Sequence, residues 1–408
     1  MSSVYFERPH GFRDYLLQEY EKRYRLEEKI HDVFLAWGYD WLTTPLLEFE
    51  ETIRQGLHKE EEEQLYRMFD SSGRTLVLRP EMTTPVARAV TTLLGNEPLP
   101  LHLAYIERTY RRVAARSNES SEVTQAGIEL LGDATPDADA EVLAVMASVL
   151  QSVNVGHFRL AVGHTGFVGA LLQDLPESIQ QSLRQSLLRK DAVSYEQLLH
   201  QQKDLLTDRE YEALLAMPRI RGGLDAIREA REHAIHPMAM KACDDLEALM
   251  DALGAHGLAD VVQFDFGLYL EHDYYTGILF EGYVQSLGLP ICFGGRYDRL
   301  LERFGRSLPA TGGVLHLERL FTVMDRRETP APRFLLFTGI EDRPLTYSFA
   351  QYLRQKGYAV RVVRKDGELP SESTMTAWIA NGILNSQNEE LRRYFQEFAA
   401  MKEEKSEC

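Results

Sequence analysis

The chain has 408 residues, of which 44% are hydrophobic and 26% are charged, and its formal net charge at pH 7 is -17. This length and composition predict a globular protein of two or three domains, and no apolar run approaches the ~20 residues of a membrane-spanning helix. The acidic balance counts against a broad nucleic-acid-binding surface, because such surfaces neutralise phosphates with Lys and Arg.

The N-terminal segment, MSSVYFERPHGFRD, is polar and lacks the apolar core of a secretory signal, so we expect a cytoplasmic protein. The three cysteines, Cys243, Cys292 and Cys408, lie far apart and form no CxxC or Cys/His spacing. They are most simply reduced thiols, and the sequence predicts neither a metal site nor a cofactor.

The first predicted element is an amphipathic helix at residues 20–37, which Gly38 ends. Its apolar face consists of Leu26, Ile30, Val33, Phe34 and Trp37. Residues 39–45 then have the composition of a strand. The run of glutamates at 60–63 is more typical of a solvated face or loop than of a metal site.

A short buried strand is predicted at 76–78, and the following RPEMT segment leads into a helix around 86–94. Thr83 and Thr84 are candidates to cap that helix. A capping role and a role in a binding site are both open for these threonines at this point.

The most informative stretch is a predicted β-hairpin with a long loop. Residues 105–110 are rich in β-forming side chains, 117–121 form a turn-forming cluster, and 122–131 alternate again. An ordinary surface hairpin has the same pattern. This hairpin also carries a cation, an amide and a carboxylate on adjacent strands, and these are Arg111, Gln125 and Glu129. Their combination predicts a pocket for a polar ligand.

A helix and a strand follow the hairpin, at 137–153 and 158–162. From 166 to about 253 the chain is helical and polar with paired leucines, which indicates an inserted helical subdomain. Its RIRGG segment, 219–223, is predicted to be an exposed turn. Strands return after Val261, and together with the earlier strands they predict one large antiparallel sheet.

The proline-rich segment 325–333 has the composition of a linker. It separates a first domain, 1–324, from a second domain at 334–408, in which strand and helix patterns alternate and predict a small β-α-β unit. The predicted fold class is therefore α+β, with a large sheet flanked by helices and a small C-terminal α/β domain.

Several motifs of the chain occur in the order found in the histidyl-tRNA synthetase family of class II aminoacyl-tRNA synthetases, and the chain resembles that family over most of its length. The family includes catalytically silent relatives, the regulatory subunits of ATP phosphoribosyltransferase. The motifs are HGFRDYLL, LRPEMTTPVAR, the Tyr110-Arg111 pair with TQAGIELLG, HDYYTGILFE, and GGRYDRLLERFG followed by Glu318-Arg319-Leu320. Together they are specific, although each alone is weak.

The resemblance implies a class II synthetase-like antiparallel sheet with a helical insertion at about 166–253 and a shortened anticodon-binding domain. It also implies a homodimer interface built by the first helix and the strand that ends at Pro45. It implies a histidine site in which Glu81, Thr83 and Gln125 hold the α-amino group, Glu129 and Tyr274 lie near the imidazole, Tyr275 forms a wall, and Arg111 is the motif 2 arginine.

The chain departs from the synthetase pattern at positions that handle ATP, where cations offset the charge that develops at the α-phosphate. A negative charge at Glu119 stands where a phosphate needs a positive one. The departures are Val113, Glu119 and Ser121 in the motif 2 loop, Leu270 in place of an arginine three residues before Asp273, His316 in place of a motif 3 glycine, and Met82 in place of a glycine in RPEMT.

Two functions follow from the resemblance. The first is a non-catalytic regulatory subunit that binds free histidine and is required for the activity and feedback control of a short-form ATP phosphoribosyltransferase, as a homodimer within a hetero-oligomer. That enzyme catalyses the first step of histidine biosynthesis. The alternative is an active histidyl-tRNA synthetase, which needs the phosphate-binding chemistry that the altered positions lack. A third reading, an RNA-binding sensor, fits poorly with the acidic balance.

Overall fold

The structure, a computed structural model, describes residues 7–58, 61–114, 119–270, 274–324, 333–364 and 376–406. The chain divides into two compact units, Met1–Arg326 and Arg327–Cys408. Apart from the backbone of Arg333, the predicted linker at 325–333 lies outside the described residues. Within the described ranges, no helix has both the length and the apolarity needed to span a bilayer.

Helices and strands alternate irregularly in the first unit. Its described α-helices are α1 Leu17–Ala36, α2 Glu50–Ile53, α3 Thr83–Leu93, α4 Pro136–Ser152, α5 Thr165–Leu172, α6 Glu177–Leu188, α7 Ala192–Gln201, α8 Asp208–Ala216, α9 Leu224–Glu232, α10 Pro237–Ala255 and α11 Leu317–Val323. Its described strands are β1 Asp40–Trp41, β2 Leu47–Phe49, β3 Arg67–Phe69, β4 Thr75–Leu78, β5 Leu101–Tyr110, β6 Glu122–Leu131, β7 Phe158–His164, β8 Arg221–Gly222, β9 Val262–Asp265, β10 Ile278–Val284, β11 Cys292–Arg296 and β12 Ala310–His316.

Nine of these strands form one sheet in the order β1-β5-β6-β12-β11-β10-β7-β9-β8. Most neighbours are antiparallel, as the sequence predicts, but β1 pairs with β5 and β7 pairs with β9 in parallel. Parallel neighbours need a long crossover connection, and the helices α5 to α10 supply it between β7 and β9. The large sheet is therefore mixed. A separate three-stranded sheet has the order β2-β4-β3.

The predicted hairpin is confirmed, because β5 and β6 pair antiparallel along their full length. Side chains of a strand alternate between the two faces of the sheet. In β6, Ala126, Ile128 and Leu130 accordingly pack into the core beneath the helices. Gln125 and Glu129 fall on the opposite face and line a cavity there. The alternation that predicts the strand thus also separates its core residues from its polar site residues.

Helix α4 covers the helical side of the sheet and confirms the helix predicted at 137–153. Val142, Leu143, Val145 and Val149 are almost completely buried. Burying a side chain of this kind contributes about 1.5 to 3 kcal/mol. The same core continues into the leucine-rich helices α5 to α10, so the helical insertion shares its hydrophobic core with the sheet.

The strand predicted at 39–45 is shortened to β1. Pairing with β5 ends where the Leu42 N–H donates to the Ala104 carbonyl at 2.9 Å. The Thr44 carbonyl instead accepts a hydrogen bond from Arg79 Nη1 at 2.7 Å. Pro45 has no N–H with which to extend a ladder. The prediction was wrong beyond Trp41, because a buried arginine from elsewhere in the fold competes for this backbone.

The RIRGG segment does not form the exposed turn that the sequence predicts. Arg221 and Gly222 form β8, the edge strand of the large sheet, which pairs antiparallel with β9. The Arg221 guanidinium also forms an ion pair with Asp265 at 3.0 Å. A strand of two residues is too short to show alternation in the sequence, so only its pairing with β9 identifies it.

The second unit confirms the predicted β-α-β arrangement. Its elements are β13 Arg333–Thr338, α12 Arg343–Gln355, β14 Ala359–Arg364, β15 Thr376–Ala380, β16 Ile383–Ser386 and α13 Glu389–Ser406. Strands β13 and β14 are parallel, and the sheet order is β14-β13-β15-β16. Phe334, Leu336, Phe349 and Leu353 are completely buried in its core, so this unit has a hydrophobic core of its own.

Candidate functional site

A cavity of about 710 Å³ opens on the face of the large sheet that α4 does not cover. This volume is in the range of small-molecule sites. The structure brings all the residues of the predicted histidine site together in its lining: Glu81, Thr83, Arg111, Gln125, Glu129, Tyr274 and Tyr275. They come from β6, from the start of α3, and from the segments that follow β5 and precede β10.

Glu129 lies at the centre of a buried hydrogen-bond network, with 2% of its surface exposed. Its Oε1 accepts hydrogen bonds from Thr83 Oγ1 at 3.1 Å and from Tyr105 Oη at 3.3 Å, and its Oε2 accepts one from Tyr297 Oη. Burial raises the pKa of this carboxyl to about 8, with a further contribution from the charge of Glu81, while the three hydroxyl donors act against the increase.

Two glycines provide the space for this network. Gly127 precedes Glu129 by two residues on the same face of β6, and a Cβ atom there would overlap the ring of Tyr105. Gly312 pairs with Glu129 in the register of β6 and β12, and a Cβ atom there would overlap the Glu129 carboxylate. Any larger residue at either position therefore displaces the groups that line this end of the cavity.

Glu81 sits at the start of α3. Its two carboxylate oxygens lie 3.1 and 3.2 Å from the Thr84 N–H, which donates to them. The threonine hydroxyls do not cap the helix, since the N-cap residue Met82 makes no side-chain cap and Thr83 donates to Glu129. Glu81 caps the helix instead, and this contact holds its carboxylate at the cavity wall.

Three tyrosines form the flat part of the wall. The ring centroids of Tyr274 and Tyr275 lie 4.9 Å apart, and those of Tyr274 and Tyr297 lie 5.8 Å apart in an edge-on arrangement. Burial strongly raises the pKa of the Tyr274 and Tyr297 hydroxyls, so both stay protonated as hydrogen-bond donors. Tyr105 and Tyr297 were not predicted as site residues, although Tyr297 falls inside one of the motifs that carry the resemblance.

Arg111, His316 and Arg319 form a second group of lining residues, which we call the cationic end of the cavity. Arg111 Nε donates to the Pro80 carbonyl at 3.1 Å, and Arg111 Nη1 forms an ion pair with Glu61 Oε1 at 3.0 Å. Glu61 is 2% exposed and also accepts from the His58 N–H. The expectation of a solvated glutamate run is therefore wrong for Glu61, because an arginine 50 positions later in the chain, at 111 against 61, stabilises its buried charge.

His316 and Arg319 complete this cationic end. Burial, together with the charges of Arg319 and Arg111, lowers the pKa of His316 to about 3, so its imidazole is neutral at physiological pH. Arg319 Nη1 donates to the Pro290 carbonyl at 2.8 Å. Burial lowers the pKa of Arg319, while Glu119 and Glu281 raise it. Within the described ranges, no carboxylate forms an ion pair with Arg319.

Five of the positions that depart from the synthetase pattern line the cavity: Met82, Val113, Glu119, Leu270 and His316. Ser121 does not line it. The Ser121 N–H donates to the Gly11 carbonyl at 2.8 Å, and its carbonyl accepts from the Arg111 N–H at 2.9 Å, so Ser121 ties the N-terminal segment to the hairpin. Met82 is the N-cap residue of α3 and is buried at 1% exposure. Asp273 and part of the motif 2 loop lie outside the described residues.

A cluster of possible metal ligands that the sequence did not predict lies in the helical insertion, outside the cavity lining. Its members are Asp174, Glu210 and His236, whose donor atoms lie within 4.8 Å of one another. Each already has a structural partner, since His236 pairs with Asp174 at 3.3 Å and Glu210 forms the capping box of α8 with Thr207. Cys243 and Cys292 are free and buried, as predicted for reduced thiols.

Comparison with known proteins identifies this architecture. The family model for histidyl-tRNA synthetase matches residues 11–320. An ATP phosphoribosyltransferase regulatory subunit of Moorella thermoacetica is 38% identical over 94% of this chain and 98% of its own length, and that of Bacillus subtilis is 34% identical over 92% and 96%. A crystal structure from Bacillus halodurans C, of an ATP phosphoribosyltransferase regulatory subunit/histidyl-tRNA synthetase, is 34% identical and covers 90% of this chain and 94% of that chain with a TM-score of 0.82.

The mixed sheet with its cavity is thus a class II aminoacyl-tRNA synthetase-like domain, as the sequence predicts. Within that class, the chain belongs to the ATP phosphoribosyltransferase regulatory subunits of the histidyl-tRNA synthetase family.

Proposed function

We propose that this chain is a non-catalytic regulatory subunit in histidine biosynthesis that binds free histidine in the cavity and thereby controls a short-form ATP phosphoribosyltransferase. The observation that carries the proposal is the division of charge within one cavity. Glu81, Glu129 and the tyrosines form one group of lining residues, the acidic end, whereas Arg111 and Arg319 act on a neutral His316 at the cationic end, where Glu119 and Glu281 also act on Arg319. A zwitterion with an aromatic side chain matches that division.

Each group of free histidine has a complementary partner at the acidic end. Glu81 and the amide of Gln125 suit the ammonium group, and the Gln125 amide makes no other side-chain hydrogen bond within the described part of the chain. Glu129, with its pKa near 8, suits an imidazole nitrogen, because a carboxyl in this range can either donate or accept a proton. Tyr274 and Tyr275 supply the flat wall.

The carboxylate of the ligand then faces the cationic end. Leu270, at 8% exposure, packs with Leu268 and Leu279 and offers no charge there. Among the described residues, Arg319 is the cation of the cavity lining that forms no ion pair with a carboxylate. Because the described residues already stabilise Arg111 through Glu61, Arg319 is the better partner for a ligand carboxylate.

The same residues disfavour the alternative function, an active histidyl-tRNA synthetase. Activation of histidine requires cations around the α-phosphate of ATP. Glu119 adds a negative charge to the cavity, Leu270 adds none, and His316 fills space beside Phe293, with ring centroids 5.2 Å apart. These features support histidine binding without histidine activation.

The proposed assembly is a cytoplasmic homodimer within a larger hetero-oligomer that contains the catalytic subunit. Helix α1 supports the homodimer, because it exposes Leu17, Tyr20 and Tyr24 at 84%, 55% and 50%. Exposed apolar side chains grouped on one helix are typical of an interface. The histidine signal would pass either through this interface or through the loop of the β5-β6 hairpin, part of which lies outside the described residues.

Reconstitution of the purified chain with a short-form ATP phosphoribosyltransferase tests the proposal. We expect a stable complex, higher catalytic activity than the catalytic subunit has alone, and inhibition by histidine that requires this chain. A coupling free energy of about 1 to 3 kcal/mol is enough to change apparent affinities several-fold or more.

Gln125→Ala and Glu129→Ala should shift the histidine titration to higher concentrations without preventing assembly. The matched control is Glu97→Ala, an exposed glutamate after α3. Absence of a complex, or equal inhibition without this chain, would contradict the proposal.

A further inference from the structure

The helical insertion reaches the cavity through the turn that ends α6, residues 188–191, which we call the α6 turn. The Lys190 N–H donates to the Leu187 carbonyl and the Asp191 N–H donates to the Ser186 carbonyl, each at 2.9 Å. This pair of hydrogen bonds is the Schellman motif, which satisfies the last carbonyl groups of a helix. The turn is therefore well formed, and its side chains have defined positions.

Lys190 occupies the position of this motif that normally belongs to glycine. Its φ is +55°, a left-handed conformation that glycine adopts without strain and lysine does not. Its side chain has specific contacts, because Nζ lies 2.8 Å from Glu281 Oε2, donates to Tyr283 Oη, and sits 4.8 Å from the centroid of the Tyr283 ring. Backbone strain that persists together with such contacts points to a functional role.

The contacts of Lys190 lead directly into the cavity. Leu188, from the same turn, lines the cavity wall, as do Glu281 and Arg319. Glu281 is 7% exposed and has two cationic neighbours, since its charge also acts on Arg319. Lys190 is the neighbour that forms the ion pair. Arg319 is left with the Pro290 carbonyl as its hydrogen-bond partner among the described residues.

From this geometry we infer that Lys190 is a positioning residue that holds Glu281 in an ion pair and so leaves Arg319 to receive the carboxylate of the amino acid in the cavity. The inference rests on the proposed function, in which that amino acid is histidine. Without Lys190, Glu281 would turn to Arg319 and compete with the ligand. The α6 turn thereby links ligand selectivity to the helical insertion.

The test uses Lys190→Gly in the full-length protein, because glycine fits the left-handed position and the variant should keep its fold. Dissociation constants for histidine and for histamine, which lacks the carboxylate, are measured by calorimetry. The wild type should prefer histidine. Lys190→Gly should reduce that preference about ten-fold through weaker histidine binding, with histamine changed less than about two-fold. The double variant Lys190→Gly/Glu281→Gln should restore the preference, since an amide does not pair with Arg319 as a carboxylate does.

Arg189→Ala is the matched control, because Arg189 is an exposed cation on the same turn that does not line the cavity. It should leave the preference unchanged, and melting curves should show that all variants are folded. An unchanged preference in Lys190→Gly would overturn the inference while leaving the proposed function intact. Failure of the double variant to recover would overturn it as well, by showing that the shape of the turn acts instead of the ion pair. A wild type that binds no histidine would overturn both.

Discussion

The two ends of the cavity hold their charges in different ways. At the acidic end, Glu129 and Glu81 accept hydrogen bonds from hydroxyl and backbone donors on several elements, so their positions are fixed before a ligand arrives. At the cationic end, Arg111 pairs with Glu61, whereas among the described residues Arg319 has only a carbonyl as hydrogen-bond partner. In the proposed function, the first end serves recognition, and the second lacks the arrangement of cations that phosphate chemistry needs.

This difference indicates that the amino-acid-binding part and the activating part of a synthetase-like site can be separated. In the proposed function, recognition of an amino acid depends on a few groups that β6 and α3 hold in place, whereas activation would depend on further cations around a nucleotide. We propose that this chain keeps the first set of groups and has changed the second, so that its cavity serves binding without activation. Three predictions test the two ends separately.

The largest expected effect concerns the cationic end. We expect histidine-dependent pyrophosphate exchange by the purified chain to lie at least about 10³-fold below that of an active histidyl-tRNA synthetase, because loss of a single preorganised charge-stabilising donor costs ~10²- to 10³-fold. The active synthetase, assayed under the same conditions, is the control. A rate within one order of magnitude of that control would remove the distinction between the two ends.

A smaller effect concerns the ammonium contact at the acidic end. At a histidine concentration about 100 times the dissociation constant, ligand binding should stabilise the wild type by ~2.7 kcal/mol. Glu81→Ala should abolish most of this gain, and it should also lower the free energy of unfolding of the unliganded protein by about 1 kcal/mol, because the cap of α3 is lost.

Differential scanning calorimetry with and without histidine measures both effects of Glu81→Ala. The exposed Glu97→Ala variant should change neither. If Glu81→Ala keeps the full ligand-dependent shift, Glu81 does not bind the ammonium group.

The smallest effect concerns the buried carboxyl of Glu129. Its pKa of about 8 in the folded protein lies above the ordinary value of 4.5. The folded state therefore binds the extra proton, so this group stabilises the protein fully below about pH 4.5 and its contribution is lost as the pH rises through about 8.

Glu129→Gln carries no titrating group, and it should flatten this decline by about 1 kcal/mol between pH 7 and pH 8. Melting temperatures of the two proteins across that range provide the measurement, and Glu97→Gln is the control. Parallel curves for wild type and Glu129→Gln would show that the acidic end does not hold a proton in this way.

The sequence by itself determined the elements on which the site is built. Alternation in 122–131 predicts β6 and also places Gln125 and Glu129 on one face, because side chains of a strand alternate with a period of two. The motif resemblance supplies the remaining site residues, and the structure brings all of them to one cavity. The helical insertion and the second unit follow from local patterns of the same kind, since helices and strands are encoded over short stretches.

Only the tertiary structure decided which charges pair and which short segments join the sheet. Glu61 meets Arg111, and Lys190 meets Glu281 across 91 positions of sequence. A local pattern shows a glutamate run or a helix end, but it does not show which distant cation arrives there. The edge strand β8 likewise exists only because β9 lies beside it. Buried ion pairs and edge pairing depend on partners far apart in the chain, so their free energy arises from the fold as a whole.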